Sequence, residues 1–251
     1  MRLRQVALVA RDLERSTDTL CSVLGLEVGF QDPGVGFFGL VNGVIPVGDT
    51  FLEVVSPARE GTTAGRLLER RGGDGGYMVI LQSQNPEADR ARVDTLGVRV
   101  VWESPPELEK ARAFHMHPRD IGGAITSLDA MYPPESWEWG GPDWQAHVRT
   151  ERTAEIVGVE LQAADPAGMG ARWAEVLDQP LREEEPGVQR IDLDEGGFVR
   201  FHADRDGRGE GVSGLVVRAA DAEAIRKEAQ RLGHVDEDGE IRLVGIRIEL
   251  A

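Results

Sequence analysis

The chain of 251 residues contains a single cysteine, Cys21, and this scarcity is its first constraint. One thiol cannot form an intramolecular disulfide or a cysteine-based zinc cluster, so neither can stabilise the fold. Chains without disulfides are typical of a reducing compartment, and we therefore expect a cytoplasmic location.

Long apolar segments and basic residues are scarce as well. The N-terminal apolar stretch ends at Arg11 and Asp12, too early for the core of a signal peptide, and no later run approaches a membrane span. With 28 Lys and Arg against 44 Asp and Glu, the formal charge is -16, which disfavours nucleic acid and anionic membranes as partners. We therefore expect a small-molecule ligand, with no nucleic-acid or membrane partner.

Three common motifs are also missing. The sequence has no P-loop, no dinucleotide-binding glycine fingerprint followed by an acid at the right distance, and no nucleophile elbow. The hydrophobic fraction of 41% and the charged fraction of 29% are nevertheless those of a folded protein. The sequence thus indicates a globular protein outside the nucleotide-binding and serine-hydrolase classes that these motifs mark.

A fourfold repeat is present instead. Each copy has a short β-branched strand, an Asp or Asn, an amphipathic stretch and a Leu that follows the Asp or Asn by 11 or 12 residues. The Asp and Asn residues are Asp12, Asn85, Asp165 and Asp221. Because Asp and Asn accept hydrogen bonds from the free amides of a helix start, each copy predicts a helix of about three turns.

Short extended runs follow each helix, so the repeat predicts a β-α-β-β-β unit. In the first copy these runs are Phe37–Leu40, Val44–Val47 and Phe51–Val55. Four units predict an α+β protein with an N-terminal domain at 1–130, a linker at 131–152 and a C-terminal domain at 153–251. The linker contains Trp137, Trp139 and Trp144, which favours an ordered clasp, or a lid formed by Trp137 or Trp139.

The paired units resemble the vicinal oxygen chelate superfamily, which includes glyoxalase I, methylmalonyl-CoA epimerase, extradiol dioxygenases and bleomycin-resistance proteins. The segments that carry the resemblance are LRQVALVARDLERS, FGLVNGVIPVGDTFLEVVSP and FHMHPRDIGGAITSLD. It implies two glyoxalase-like cups, each an eight-stranded, curved mixed sheet with helices outside. The main ligand pocket would lie inside the N-terminal cup, and the C-terminal cup would be degenerate.

The resemblance also implies four positions for the ligands of a divalent metal, usually filled by His, Glu or Gln. In this sequence they are Gln5, Glu53, Met78 and Ser127. A thioether is a soft ligand and a neutral hydroxyl a weak one, so we expect no complete metal site and no cofactor. If Fe, Ni, Mn or Zn is bound, Gln5 and Glu53 are the candidate ligands. Arg200 occupies an equivalent position in the second half and would repel a metal, so we predict a structural role for that half.

Glu53 and His117 are the predicted catalytic residues. Strand alternation puts Glu53 on one face with Phe51 and Val55, where it would be a general base with a raised pKa or an acceptor for a ligand cation. His117 follows His115 in a His-x-His pattern and belongs to an epimerase-like hairpin that would shape the pocket mouth.

Five further residues are predicted to bind the ligand: Gln5, Asn42, Tyr77, Met78 and Ser127. Turn geometry would equally explain Asn42, and core packing would equally explain Tyr77.

Three functions remain open from the sequence. The protein would bind or transform a small carbonyl or hydroxy metabolite without a complete metal site. Alternatively, it would sequester a cationic drug or metabolite, as bleomycin-resistance proteins do, or act as a metal-dependent lyase, epimerase or dioxygenase with unusual ligands. Either a monomer or a homodimer is compatible with the four units.

Overall fold

A computed structural model describes all 251 residues. Its first sheet contains β1 (Arg2–Val9), β2 (Leu40–Val47), β3 (Thr50–Pro57), β4 (Gly75–Gln82), β5 (Val100–Glu103), β6 (Ala111–Met116) and β7 (Ile125–Met131). The second contains β8 (Thr153–Ala163), β9 (Leu181–Glu185), β10 (Val188–Asp192), β11 (Phe198–Ala203), β12 (Gly211–Ala219), β13 (Ile241–Leu243) and β14 (Ile246–Leu250). The helices are α1 (Leu13–Leu24), α2 (Thr63–Arg71), α3 (Pro86–Thr95), α4 (Pro118–Ile121), α5 (Pro166–Leu177) and α6 (Ala222–Arg231). No helix is both long enough and apolar enough to cross a membrane.

The strand orders are β2-β3-β1-β4-β7-β6-β5 and β13-β14-β12-β8-β11-β10-β9, and both sheets mix parallel and antiparallel pairs. This confirms the predicted α+β class with two glyoxalase-like sheets. Each sheet has seven strands rather than the predicted eight, and each half of the chain also has one isolated bridge outside the strands. These bridges join Phe30 to Val44 and Val235 to Ile241.

The repeat's helix starts are confirmed. The side chains of Asp12, Asn85, Asp165 and Asp221 each accept a hydrogen bond from the backbone N–H three residues later. In α1 the apolar side chains of Leu20, Val23 and Leu24 are buried against the sheet, as an amphipathic helix requires.

Strand register makes the four units equivalent residue by residue. In every unit, the residue five positions before the helix cap is the cross-strand partner of one residue on the unit's last strand. The pairs are Ala7 with Glu53, Ile80 with Ser127, Glu160 with Arg200 and Val216 with Glu249. The same structural position therefore carries a carboxylate, a hydroxyl, a guanidinium and a second carboxylate.

One predicted strand is wrong. Pro33–Phe38 forms a 3₁₀ helix, so only Leu40 of the predicted run Phe37–Leu40 belongs to a strand. The Asp32 side chain accepts a hydrogen bond from Gly34 N at 2.7 Å, and Pro33 begins the helix where no N–H is needed.

Contacts between residues divide the chain into two compact units. One comprises Met1–Arg4, Met78–Glu138 and Gly158–Val212, and the other Gln5–Tyr77, Trp139–Val157 and Ser213–Ala251. The domains predicted from the sequence, 1–130 and 153–251, separate the strands of the first sheet from those of the second. As a division into domains, this stays a prediction.

Gly48 in the β2–β3 turn gives the first testable prediction. Its φ is +61°, and an added Cβ would lie 2.1 Å from the carbonyl oxygen of Ala154. Gly187 in the β9–β10 turn has a similar φ of +80°, but an added Cβ there meets no heavy atom within 4 Å. We expect Gly187→Ala to cost about 1 kcal/mol from left-handed strain alone and Gly48→Ala about 2–3 kcal/mol from strain plus the clash. Urea unfolding of both variants measures this, and equal losses would refute the close approach.

Candidate functional site

The candidate site lies on the sheet face opposite α1. An added Cβ on Gly43 would lie 3.0 Å from Thr17 of α1, which identifies the helix-facing side of β2. Gly43 pairs with Val54, so Glu53 on β3 points to the other side. Alternation and register place Gln5 of β1 and Asn42 of β2 on that same side.

Glu53 is at the centre of this group. Its Oε2 accepts a hydrogen bond from Gln5 Nε2 at 2.8 Å, and its Oε1 accepts one from Asn42 Nδ2 at 2.7 Å. The side chains are 6%, 2% and 3% exposed for Glu53, Gln5 and Asn42 respectively. Both contacts come from neutral amides, so the charge of a buried carboxylate here has no cationic partner. The structure brings these three predicted residues together.

Burial raises the pKa of the Glu53 carboxyl above its usual value. The hydrogen bonds from Asn42 and Gln5 lower it in part, and the negative charge of Asp32 raises it further. A carboxyl shifted in this direction exchanges its proton closer to neutral pH than an exposed one, which suits a general acid or base.

Tyr77 lies in the same compact unit and responds to Glu53. Burial and the neighbouring Glu53 charge raise the pKa of the Tyr77 phenol to about 12. The phenol therefore keeps its proton at physiological pH and can donate a hydrogen bond.

Aromatic packing borders the site on one side. Phe51 is fully buried two residues before Glu53, and its ring lies 5.0 Å from that of Trp144 in an edge-to-face arrangement. Trp144 belongs to the predicted aromatic linker and is itself 8% exposed. Trp137 of the same linker is buried in the other compact unit, with the Arg4 guanidinium 5.3 Å from its ring centre.

Met78 and Ser127 belong to the other compact unit. Met78 is buried. Ser127 is fully buried, and its Oγ lies within hydrogen-bonding distance of two acceptors, the carbonyl oxygen of Phe114 at 3.2 Å and the carboxylate of Asp129. The hydroxyl's proton is thus engaged inside the protein.

His117 caps a short helix. Its Nδ1 accepts a hydrogen bond from the backbone N–H of Arg119 at 3.1 Å, which begins α4. This contact explains the residue structurally, and its predicted role toward a ligand stays a prediction.

His115 is the other histidine of the His-x-His pattern. It pairs in register with Ser127, and its ring centre lies 4.4 Å from that of Trp102 on β5. Burial lowers the pKa of His115 to about 4, so the imidazole is neutral at physiological pH. Strand alternation separates His115 from Met116 and predicts that His115 lies on the same face as Ser127.

The donor set does not fit an ordinary divalent-metal site. Glu53 accepts hydrogen bonds on both oxygens, Gln5 directs its amide nitrogen at the carboxylate, and Ser127 is a neutral donor. No group of three or more His, Cys, Asp or Glu side chains in the chain is arranged to hold a metal ion. We therefore assign no step to a metal.

In the third β-α-β-β-β unit, the position equivalent to Glu53 carries the opposite charge. Arg200 Nη1 lies 2.7 Å from Oε1 of Glu160, and Arg200 Nε lies 2.7 Å from Oε2 of Glu184. Arg190 bonds to the other oxygen of Glu184 at 2.7 Å and continues the series to Asp192. We call this series, which ends with Arg182 on Asp192, the charged ladder.

An open cavity of about 440 Å³ lies elsewhere, along α1 and α6. It is lined by Asp12, Glu14, Arg15, Asp18, Thr19, Ser22, Leu232 and His234, and it contains none of the predicted site residues.

Comparison with known proteins identifies a family that this chain matches. The family of glyoxalase-like domains matches residues 6–177. A hypothetical protein from Staphylococcus aureus aligns over 100% of this chain and 99% of its own, with 13% identity and a TM-score of 0.70. A mutant of 4-hydroxymandelate synthase from Streptomyces coelicolor aligns over 92% of this chain and 74% of its own, with 15% identity and a TM-score of 0.68.

Methylmalonyl-CoA epimerase from Streptomyces coelicolor aligns over 55% of this chain and 99% of its own, with 23% identity and a TM-score of 0.48. No curated protein matches the chain. At these identities, the two whole-chain alignments show a shared fold.

Proposed function

The chain belongs to the glyoxalase-like domain family of the vicinal oxygen chelate superfamily, and from that premise we propose that it binds a small carbonyl or hydroxy compound at Glu53 and transfers a proton on it. The buried Glu53 carboxylate, held by two neutral amides and with a raised pKa, is the observation that supports this most directly.

The chemistry uses only residues of this chain. Glu53 takes a proton from the carbon next to the substrate carbonyl, so that the C–H bond breaks and an O–H bond forms on the carboxylate. The electron pair moves to the carbonyl oxygen, where the protonated Tyr77 phenol donates a hydrogen bond. Gln5 and Asn42 fix the carboxylate in position. Return of a proton from Glu53 to the same carbon regenerates the carbonyl compound, with its C–H hydrogen exchanged for one from solvent.

The side chains at the four positions that the family resemblance assigns to metal ligands are ill suited to hold a metal. The proposed reaction is therefore one that proceeds without a complete metal site. Elemental analysis of the purified protein tests this point. Stoichiometric Fe, Ni, Mn or Zn that is lost in Glu53→Ala would contradict it and favour a metal-dependent lyase, epimerase or dioxygenase.

Solvent-deuterium exchange tests the proposed proton transfer. A panel of 2-oxo and 2-hydroxy acids is first screened by thermal shift, and NMR then follows deuterium entering the carbon next to the carbonyl of each stabilising compound. We expect Tyr77→Phe to slow exchange about a hundredfold, the lower end for losing one oxyanion donor. Tyr132→Phe is the matched control, since Tyr132 is 45% exposed. Equal rates in both variants would remove Tyr77 from the proposed chemistry.

A second candidate function is the sequestration of a cationic ligand. Glu53 has only neutral partners, so a ligand cation would supply the missing counter-charge of a buried carboxylate. A cationic compound that stabilises the protein and is recovered unchanged after long incubation, with no deuterium exchange in any acid of the panel, would favour this function over the enzyme.

A further inference from the structure

The 3₁₀ segment next to the site is held only lightly. None of the residues of Pro33–Phe38 is buried. Phe37 is 76% exposed and Phe38 36% exposed, with their rings 5.1 Å apart in an edge-to-face pair. A segment with few buried apolar contacts opens more readily than the sheet that supports it.

The ends of this segment are anchored by hydrogen bonds. At the far end, Ala58 N donates to Gly39 O at 2.9 Å. At the near end, the backbone N–H of Asp32 donates to Asn42 Oδ1 at 2.8 Å. Asn42 Nδ2 is the same group that donates to Glu53 Oε1 at 2.7 Å. The near anchor and the candidate catalytic carboxylate thus share one side chain.

We propose that Asn42 is a positioning residue that couples the segment Asp32–Phe38 to Glu53. The inference rests on the proposed function for its purpose, since a ligand at Glu53 would then act on the segment through Asn42. Oδ1 and Nδ2 belong to one planar amide, so they cannot turn independently. A ligand that takes the place of Glu53 as partner of Asn42 therefore pulls Oδ1 away from Asp32 and releases the near end of the segment.

The polarity of the amide adds to this coupling. An amide whose oxygen accepts a hydrogen bond donates more strongly through its nitrogen, and the reverse also holds. Because Asn42 is 3% exposed, water does not readily replace either bond. Weakening the bond to Glu53 therefore weakens the bond to Asp32, and the segment and the carboxylate respond to each other in both directions.

Hydrogen exchange of the ligand-free full-length protein tests the coupling. Asn42→Ala is expected to raise amide exchange in peptides covering 31–39 about fivefold, the equivalent of one net hydrogen bond. Glu53→Gln replaces the carboxylate acceptor of Asn42 by a weaker neutral one, so it is expected to raise the same exchange by a smaller factor. Glu53→Gln keeps the volume and leaves Asn42 intact, so it reports on coupling even if Asn42→Ala folds poorly. Asn85→Ala is the matched control, because Asn85 caps α3 through the same kind of side-chain bond. It is expected to leave 31–39 unchanged.

The double variant Asn42→Ala/Glu53→Gln separates coupling from two independent losses. If Glu53 acts on the segment through Asn42, the double variant exchanges no faster in 31–39 than Asn42→Ala alone. Additive effects, unchanged exchange in Glu53→Gln, or an increase spread evenly over the whole chain would each overturn the proposal. None of these measurements needs a ligand. The proposed function can therefore fail in the solvent-deuterium exchange test on candidate substrates while the coupling through Asn42 is confirmed.

Discussion

Replacing Glu53 by Gln is expected to abolish the proposed proton transfer and to leave the folded protein more stable than the wild type at pH values above the raised pKa of Glu53. Glutamine keeps the shape of the side chain but cannot accept the proton. Loss of a general base typically costs about 10²–10⁴-fold in rate, so deuterium exchange into the substrate should fall to near background. The same change removes a buried negative charge that has only amide partners.

The sign of the stability effect follows from the raised pKa of Glu53. Between the ordinary carboxyl pKa and the raised one, the folded protein binds a proton that the unfolded chain has released. Stability therefore falls as pH rises through this window and is constant above it. The Glu53→Gln variant does not lose stability in this window. The difference in free energy of unfolding between the variant and the wild type should therefore grow with pH and then level off.

Urea unfolding across pH measures this difference. Glu249→Gln is the matched control, since Glu249 occupies the equivalent strand position but bonds to Arg247 at 2.9 Å with its side chain 33% exposed. We expect that control to change stability by about 0.5 kcal/mol or less at any pH. A wild-type stability curve parallel to that of Glu53→Gln would show that the carboxyl does not titrate with a raised pKa.

The repeat made most of the fold predictable, because its signals are local. Asp12 and Asn85 cap helices through their own side chains, and such a contact needs no distant partner. The 3₁₀ helix at Pro33–Phe38 was missed although its signal, Asp32 followed by Pro33, is also local. Phe37 and Phe38 are residue types that favour strands, so the local signals of this segment conflict.

The site was predictable only in part, because its contacts join residues far apart in sequence. The family resemblance puts Gln5 and Glu53 at two of the four implied ligand positions, and the structure joins them at 2.8 Å. Asn42 lies within β2 rather than in a turn, and only cross-strand register brings it to Glu53. The partners of Arg200 could not be read from spacing, because Glu160 and Glu184 reach it from two other strands.

The charged ladder responds to pH in the opposite direction from Glu53. Burial raises the pKa of Glu184, but the hydrogen bonds from Arg200 and Arg190 outweigh it and hold that pKa below its usual value. A lowered carboxyl pKa contributes stability that is present above the unfolded-state pKa and is lost as pH falls through the folded one. Stability is therefore lost at Glu53 as pH rises, and it is lost at Glu184, the partner of Arg200, as pH falls.

Arg200→Met is expected to be the most destabilising single change in the ladder. Methionine fills most of the space of the arginine stem but removes the guanidinium that bonds to Glu160, a side chain only 1% exposed. Breaking one partner of a buried ion pair costs about 3–5 kcal/mol, chiefly because a charge is left in a poorly solvating interior. Arg182→Met at the other end is the matched control, since Arg182 and its partner Asp192 are both 49% exposed. An exposed pair of that kind contributes about 0–1 kcal/mol.

The double variant Glu160→Gln/Arg200→Met distinguishes a buried charge from simple loss of packing. If the cost of Arg200→Met arises from the carboxylate that remains, neutralising Glu160 should restore most of the lost free energy of unfolding. If the arginine stem mainly packs against Phe198, whose ring centre lies 5.1 Å from the guanidinium carbon, the double variant should be no more stable than the single one. Chemical unfolding at constant pH and ionic strength decides between the two outcomes. Recovery in the double variant would show that Arg200 balances the buried charge of Glu160, which supports a structural role for this part of the second sheet.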